Sequence, residues 1–159
     1  VLDKTYDALY DTIEASFSDV PAERPLRERY RDLVVRAVAL FQEREDLFIV
    51  LIKEAYQMCF SHDAEKVEYF LRQRERMVDM LLPVLQQAAT QGSIRDKSLH
   101  SVAHILLENM EKLIVNRIML KQHGGIDETE ACGTMAHDPE HAADFLTSML
   151  FDGIEVQPL

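Results

Sequence analysis

Gln91-Gly92-Ser93-Ile94-Arg95-Asp96 separates two long stretches whose apolar residues recur at helical spacing. Before it lies an amphipathic segment with Pro83 inside it, and after it a mostly apolar segment from Ser98 to Leu120. Gly92 can take the left-handed backbone that ends a helix, and Asp96 can accept a hydrogen bond from the first free N–H groups of the next one. The stretch predicts a tight helix-to-helix turn.

Working outward, no segment alternates at period two for long enough to read as a strand, so the pattern predicts an all-α fold of about six helices. The segment from about Ala64 to Gln91 carries the stripe Val67, Phe70, Leu71, Arg74, Met77, Val78, Leu81 and Leu85. It would be roughly 42 Å long. Pro83 cannot donate to the carbonyl of Asp79, which predicts a kink. On the other side, the helix from Lys97 to about Gln122 has apolar residues on more than one face, so one stripe covers the core and another needs a partner. His123-Gly124-Gly125 ends it, and the polar stretch to Ala136 reads as a flexible loop. The last helix starts with Asp138 as cap and Pro139 in its first turn, and stops at Gly153.

Toward the N-terminus, Leu2, Tyr6, Leu9, Tyr10, Ile13 and Phe17 form one stripe, ended at Asp19-Val20-Pro21. A second helix begins near Pro25, read as a first-turn proline, and buries Leu26, Tyr30, Leu33, Val34, Ala37, Val38 and Phe41. From Asp46 to Phe60 apolar residues surround the helix, which predicts a central position for it. Val1 is already on the first helical pattern, without an initiator Met or a capping residue before it. That is expected of a piece of a longer chain whose missing part lay directly upstream.

The 159 residues, 47% apolar, suffice for one domain over residues 1–159 with a single core. The longest apolar run, Leu47 to Ile52, is far short of the ~20 residues of a membrane span, and no secretory leader opens the chain. A soluble, cytoplasmic domain without membrane contact is expected. Cys59 and Cys132 lack ligand-pair spacing, and reduced thiols are expected. Seventeen Lys and Arg against 28 Asp and Glu give a net charge of −11, and the last 38 residues contain eight acids and no Lys or Arg. Nucleic-acid binding draws most of its affinity from neutralising phosphates, so this chain by itself is not expected to bind DNA or RNA.

The order of these elements resembles the C-terminal regulatory domain of a tetracycline-repressor (TetR) family transcription regulator. The resemblance covers essentially the whole chain. Val1-Leu2-Asp3-Lys4-Thr5-Tyr6 matches the connecting helix (1–17), and Phe70-Leu71-Arg72 to Leu85 matches the long pocket helix within the 46–121 region. Gly92-Ser93-Ile94-Arg95-Asp96 matches the turn, and Ala143-Asp144-Phe145-Leu146 to Phe151-Asp152-Gly153-Ile154 the terminal helix (137–153). The stretch Lys121 to Ala136 is longer than the family's usual link. The resemblance implies a homodimer formed by the last two helices in a four-helix bundle, with Leu107, Ile114, Phe145, Leu146, Met149 and Leu150 at the seam. It also implies an effector pocket among the connecting, central, long and fifth helices, and DNA contact only through an N-terminal helix-turn-helix outside this chain. Independently, the fifth and last helices carry apolar residues that a monomer would leave exposed, and large exposed apolar patches mark interfaces.

The candidate ligand-binding residues are Phe48, Tyr56, Phe60, Arg74, Met77, Leu81 and Met110. Thioethers adapt to several shapes, so Met58, Met77, Met80 and Met110 with the aromatic residues would suit an apolar ligand, although core packing explains any one of them. Arg74, between Phe70 and Met77, either anchors the anionic or carbonyl end of an effector, pairs with an internal acid such as Glu54, or snorkels to the surface. His100 and His104 are four apart with Glu108 one turn on, and His137 and His141 repeat the spacing. Such pairs can bind zinc or nickel, although a solvated polar face is the simpler reading and no metal or other cofactor is assigned. A pH-sensitive interface is a further reading of them.

No Glu is followed three positions later by His, which removes the helical-bundle di-iron site. There is no phosphate-cradling glycine loop and no nucleophile elbow. The expectation is a non-enzymatic, effector-sensing and dimerising domain of a repressor, with a helical protein-protein adaptor or a metal-binding bundle as alternatives.

Overall fold

The computed structural model describes residues 1–95, 98–122 and 138–154, and all the elements among them are α-helices. They are α1 (Leu2–Ser18), α2 (Leu26–Glu43), α3 (Glu45–Met58), α4 (Ala64–Thr90), α5 (Leu99–Gln122) and α6 (Pro139–Ile154). No helix among these residues is long and apolar enough to cross a membrane.

The helix ends follow local chemistry. Asp63 caps α4, its carboxylate accepting from the backbone N–H groups of Glu65 (3.1 Å) and Lys66 (3.3 Å). At the other end Gly92 has φ +74°, which a non-glycine residue adopts only with strain. The Ser93 N–H then reaches back to the Ala88 carbonyl at 3.0 Å, and Ile94 tucks into the core behind it. Asp96, expected to cap the next helix, lies outside the described residues. Ser98 does that work: its carbonyl accepts from Val102 at 3.0 Å and its hydroxyl from the Ser101 N–H at 3.4 Å. Pro25 sits at the N-cap of α2 with ψ 144°, one position before the first turn expected for it. Asp138 caps α6, accepting from the Glu140 N–H at 3.0 Å. α4 is continuous across Pro83.

Two apolar nuclei hold the helices together. The larger joins Tyr30, Leu33, Val34, Ala37 and Val38 of α2 to Val78, Leu81 and Leu85 of α4, Ala103, Leu106, Leu107 and Met110 of α5, and Ala143, Leu146 and Phe151 of α6. The smaller gathers Tyr6, Tyr10, Phe41, Phe48, Leu51, Phe70, Ile114 and Ile118. Met77 and Met80 of α4 touch both, as unbranched side chains that fill the irregular space between them.

The central helix is α2, which packs on all five of the others. This corrects the expectation for α3. Arg44 alone separates the two helices, with a non-helical backbone (φ −126°, ψ 42°), so α3 folds back at one end of the bundle against α1, α2 and α4. Only Phe48 and Leu51 of α3 are buried, whereas Val50 and Tyr56 face solvent, as does Phe60 just beyond the helix. A helix apolar all round is buried all round only if neighbours surround it, and α3 has them on one side.

Polar contacts fasten α2 to its neighbours. The Tyr30 hydroxyl, fully buried, donates to the Leu106 carbonyl of α5 at 2.7 Å, and its ring lies 5.7 Å from that of Phe151 in α6. Arg31 donates from Nε to the Asp144 carboxylate of α6 at 2.5 Å, which holds that carboxyl below the usual range. Arg29 is buried beside Phe17, donating to its carbonyl at 3.2 Å and lying over its ring at 5.3 Å.

Candidate functional site

The densest polar cluster lies on the seam between α4 and α5. The i, i+4 spacing of His100 and His104 puts both imidazoles on one face of α5, with ring centroids 4.7 Å apart. Glu75 projects from α4 between them. Its Oε2 accepts from His100 Nε2 at 3.1 Å, and its Oε1 lies 3.5 Å from His104 Nε2. One ligand-capable atom from each of the three residues falls within 4.8 Å of the others. Two imidazoles and a carboxylate in that arrangement are chemically fit to hold a divalent ion of the zinc type.

Arg74, next to Glu75, closes the other side. Its Nε donates to His104 Nδ1 at 3.3 Å, its Nη2 to Glu108 Oε1 at 2.7 Å, and its Nη1 lies 3.8 Å from Glu111 Oε2. Desolvation pushes the Glu111 carboxyl up and nearby Glu108 adds to this, while Arg74 opposes the shift. Behind this row stand Tyr6, Tyr69 and Phe70, with ring centroids 5.3 to 6.4 Å apart. Burial raises the Tyr6 phenol far above its ordinary range, so it stays protonated as a donor at any physiological pH. Tyr10 donates to the Gln73 side chain and lies under the Arg76 guanidinium, 3.9 Å from its ring centroid.

Of the readings offered for Arg74, the structure shows pairing with acids of α5. Glu54 instead meets Lys66 at 3.5 Å. The seven candidate ligand residues are spread through the fold. Phe48 belongs to the smaller nucleus, Leu81 and Met110 to the larger, and Met77 bridges them. Tyr56 of α3 and Phe60 just beyond it are 50% and 85% exposed. A crevice of about 10 Å³ lies elsewhere, lined by Val38, Phe41, Leu113, Ile114, Arg117 and Ala142. It has room for about one water, against several hundred Å³ for an organic ligand.

The six proposed interface residues divide as well. Leu107, Ile114 and Leu146 are buried within the protomer and Leu150 is half-buried, whereas Phe145 and Met149 are 47% and 66% exposed. Ile105 and Met119 of α5 are likewise exposed. Cys59 is free and exposed at the end of α3. His137, Cys132 and the expected 122–136 loop fall largely outside the described residues.

Glu75 is the residue that sequence reasoning missed. Glu108 is the acid nearest the His pair along the helix, one turn on, but it turns to Arg74. The juxtaposition of Glu75 with the pair depends on how α4 lies against α5, and a helical repeat carries no signal of that. Compared with family models, with curated proteins and with solved structures, the chain has no match.

Proposed function

We propose that this chain is the regulatory domain of a one-component transcription regulator of the TetR type, sensing an apolar or amphipathic small molecule and dimerising through α5 and α6. The observation that supports it is the distribution of exposed apolar side chains on the last two helices. Phe145 and Met149, one turn apart, form an outward stripe on α6, and Ile105 and Met119, four turns apart, lie on one face of α5. Surface stripes of this kind call for a partner, and a second copy offers the same stripes by symmetry.

In this reading DNA is contacted by a helix-turn-helix upstream of Val1, and the acidic domain itself stays off the phosphates. The effector acts by population shift. A ligand that prefers one position of α1 relative to α4 sets the spacing of two DNA-reading heads, and a coupling of about 1–3 kcal/mol changes DNA affinity roughly 5- to 150-fold. The compact interior requires α3, held on one side only, to move for an organic ligand to enter next to Phe48 and Met77.

Native mass spectrometry of protein purified from its source tests both parts. A dimer carrying a co-purified organic molecule is the expected result. A bare monomer at tens of micromolar, where obligate interfaces are saturated, would sink the regulatory reading and leave a helical adaptor as its replacement.

A further inference from the structure

We propose that Glu75, His100 and His104 form a binding site for a divalent zinc-class ion, and that Arg74 is its built-in competitor. The inference is independent of the regulatory reading. Donor atoms around a tetrahedral zinc at about 2.0–2.1 Å lie about 3.3 Å from one another. The Glu75 oxygens already stand 3.1 Å and 3.5 Å from the two Nε2 atoms. The three donor atoms lie within 4.8 Å of one another, so the set must contract around the ion, with His100 51% and His104 26% exposed. Both imidazoles converge on one carboxylate from a single helix face, each beside a different oxygen, and one of those oxygens would take the ion. Solvent on the outer side leaves the fourth position to water.

Arg74 sets the state that the ion must displace. A guanidinium only donates, so its contact with His104 Nδ1 requires a lone pair there, and the ring proton then sits on Nε2. Nε2 is the atom facing Glu75, where the ion would bind. Binding therefore moves that proton to Nδ1 by exchange with water, and the new N–H would confront Arg74 Nε–H. The two contacts exclude each other. Arg74 has an alternative at hand, because Glu108 and Glu111 can hold the whole guanidinium. The ion would thus rewire the α4–α5 seam, replacing the Arg74–His104 bond with a Glu75–His100–His104 clamp.

The test uses metal-free protein titrated with Zn²⁺ against a chromophoric chelator, with Co²⁺ absorption reporting coordination. One equivalent per chain is expected, weakened at least about tenfold in Glu75→Gln and in His104→Ala. Arg74→Met should bind about tenfold more tightly, on the scale of changes just outside the ligand shell. Arg72→Met removes the same charge two residues earlier, about half a turn round α4, where Arg72 pairs with Glu68 at 2.7 Å, and should shift affinity by no more than about twofold under salt screening. Long-range ¹H–¹⁵N spectra should show the His104 proton leaving Nε2 for Nδ1 as zinc is added. Equal zinc affinity in wild type and Glu75→Gln overturns the site. Arg74→Met binding no more tightly than Arg72→Met overturns the competition. All four substituted side chains are at least partly solvent-facing, and thermal melts will verify that each variant is folded.

Discussion

Replacing Tyr30 by Phe should produce stability curves that cross at alkaline pH, and the crossing can be worked out from the packing. The phenol is 1% exposed and donates to Leu106, and burial raises its pKa far above the ordinary value of about 10. Near neutral pH the substitution removes one hydrogen bond. It orphans no buried group, because the Leu106 carbonyl already accepts within the α5 ladder. The loss should be about 1 kcal/mol, or roughly 2–4 °C in melting temperature for a domain of this size. Above pH 10 the unfolded tyrosine ionises while the folded one stays protonated, so the folded state binds more protons and stability falls as pH rises. At pH 11 this amounts to about 1.4 kcal/mol for each sealed phenol. Tyr6 and Tyr69 carry raised phenols in both proteins, so the difference between the curves is the Tyr30 share alone. The variant, less stable at pH 8, should equal wild type between about pH 10 and 11 and exceed it beyond. Urea denaturation at fixed protein concentration from pH 8 to 11 measures this. Parallel curves over that range would mean that the phenol ionises within the folded state, and the sealed α2–α5 joint would be refuted.

Other substitutions address the remaining claims. Phe145→Glu with Met149→Glu should convert a dimer to monomers in sedimentation velocity while changing the protomer's own stability by no more than about 0.5 kcal/mol, because both side chains are exposed; an intact dimer would exclude α6 from the interface. Leu146→Asp is a poorer probe, since that residue is core and its loss would unfold the chain. Gly92→Ala should cost about 1–2 kcal/mol in chemical denaturation through backbone conformation alone, because nothing lies within 4 Å of the added Cβ; an unchanged midpoint would contradict the left-handed turn. Arg74→Met should lower metal-free stability by less than about 1 kcal/mol, since Arg74, Glu108 and Glu111 are 32%, 58% and 48% exposed; a loss of several kcal/mol would mean that Arg74 holds the α4–α5 seam far more strongly than exposed ion pairs do.

The succession of six helices, the left-handed turn at Gly92 and the Asp138 cap were legible in the sequence, because helical period and end chemistry are properties of neighbours along the chain. Charge was legible on the same terms. Position within the bundle was not. The all-round apolar pattern of α3 predicted a centre that α2 occupies, since burial depends on which surfaces surround a helix, and the hydrophobic effect has no direction to specify them. The same reason hid the site. His100 and His104 announced themselves by spacing on one helix, yet Glu75, 25 residues from His100, joins them only through the packing of α4 on α5. For Arg74 the sequence allows an effector anchor, a pairing with an acid such as Glu54 or a side chain reaching the surface, and the acids it meets, Glu108 and Glu111, are on α5. The sequence by itself determined which residues are helical and, outside α3, most of the residues that each helix turns inward. The tertiary structure alone decided which faces meet, because contacts between helices depend on side-chain fit summed over the whole core rather than on any local repeat.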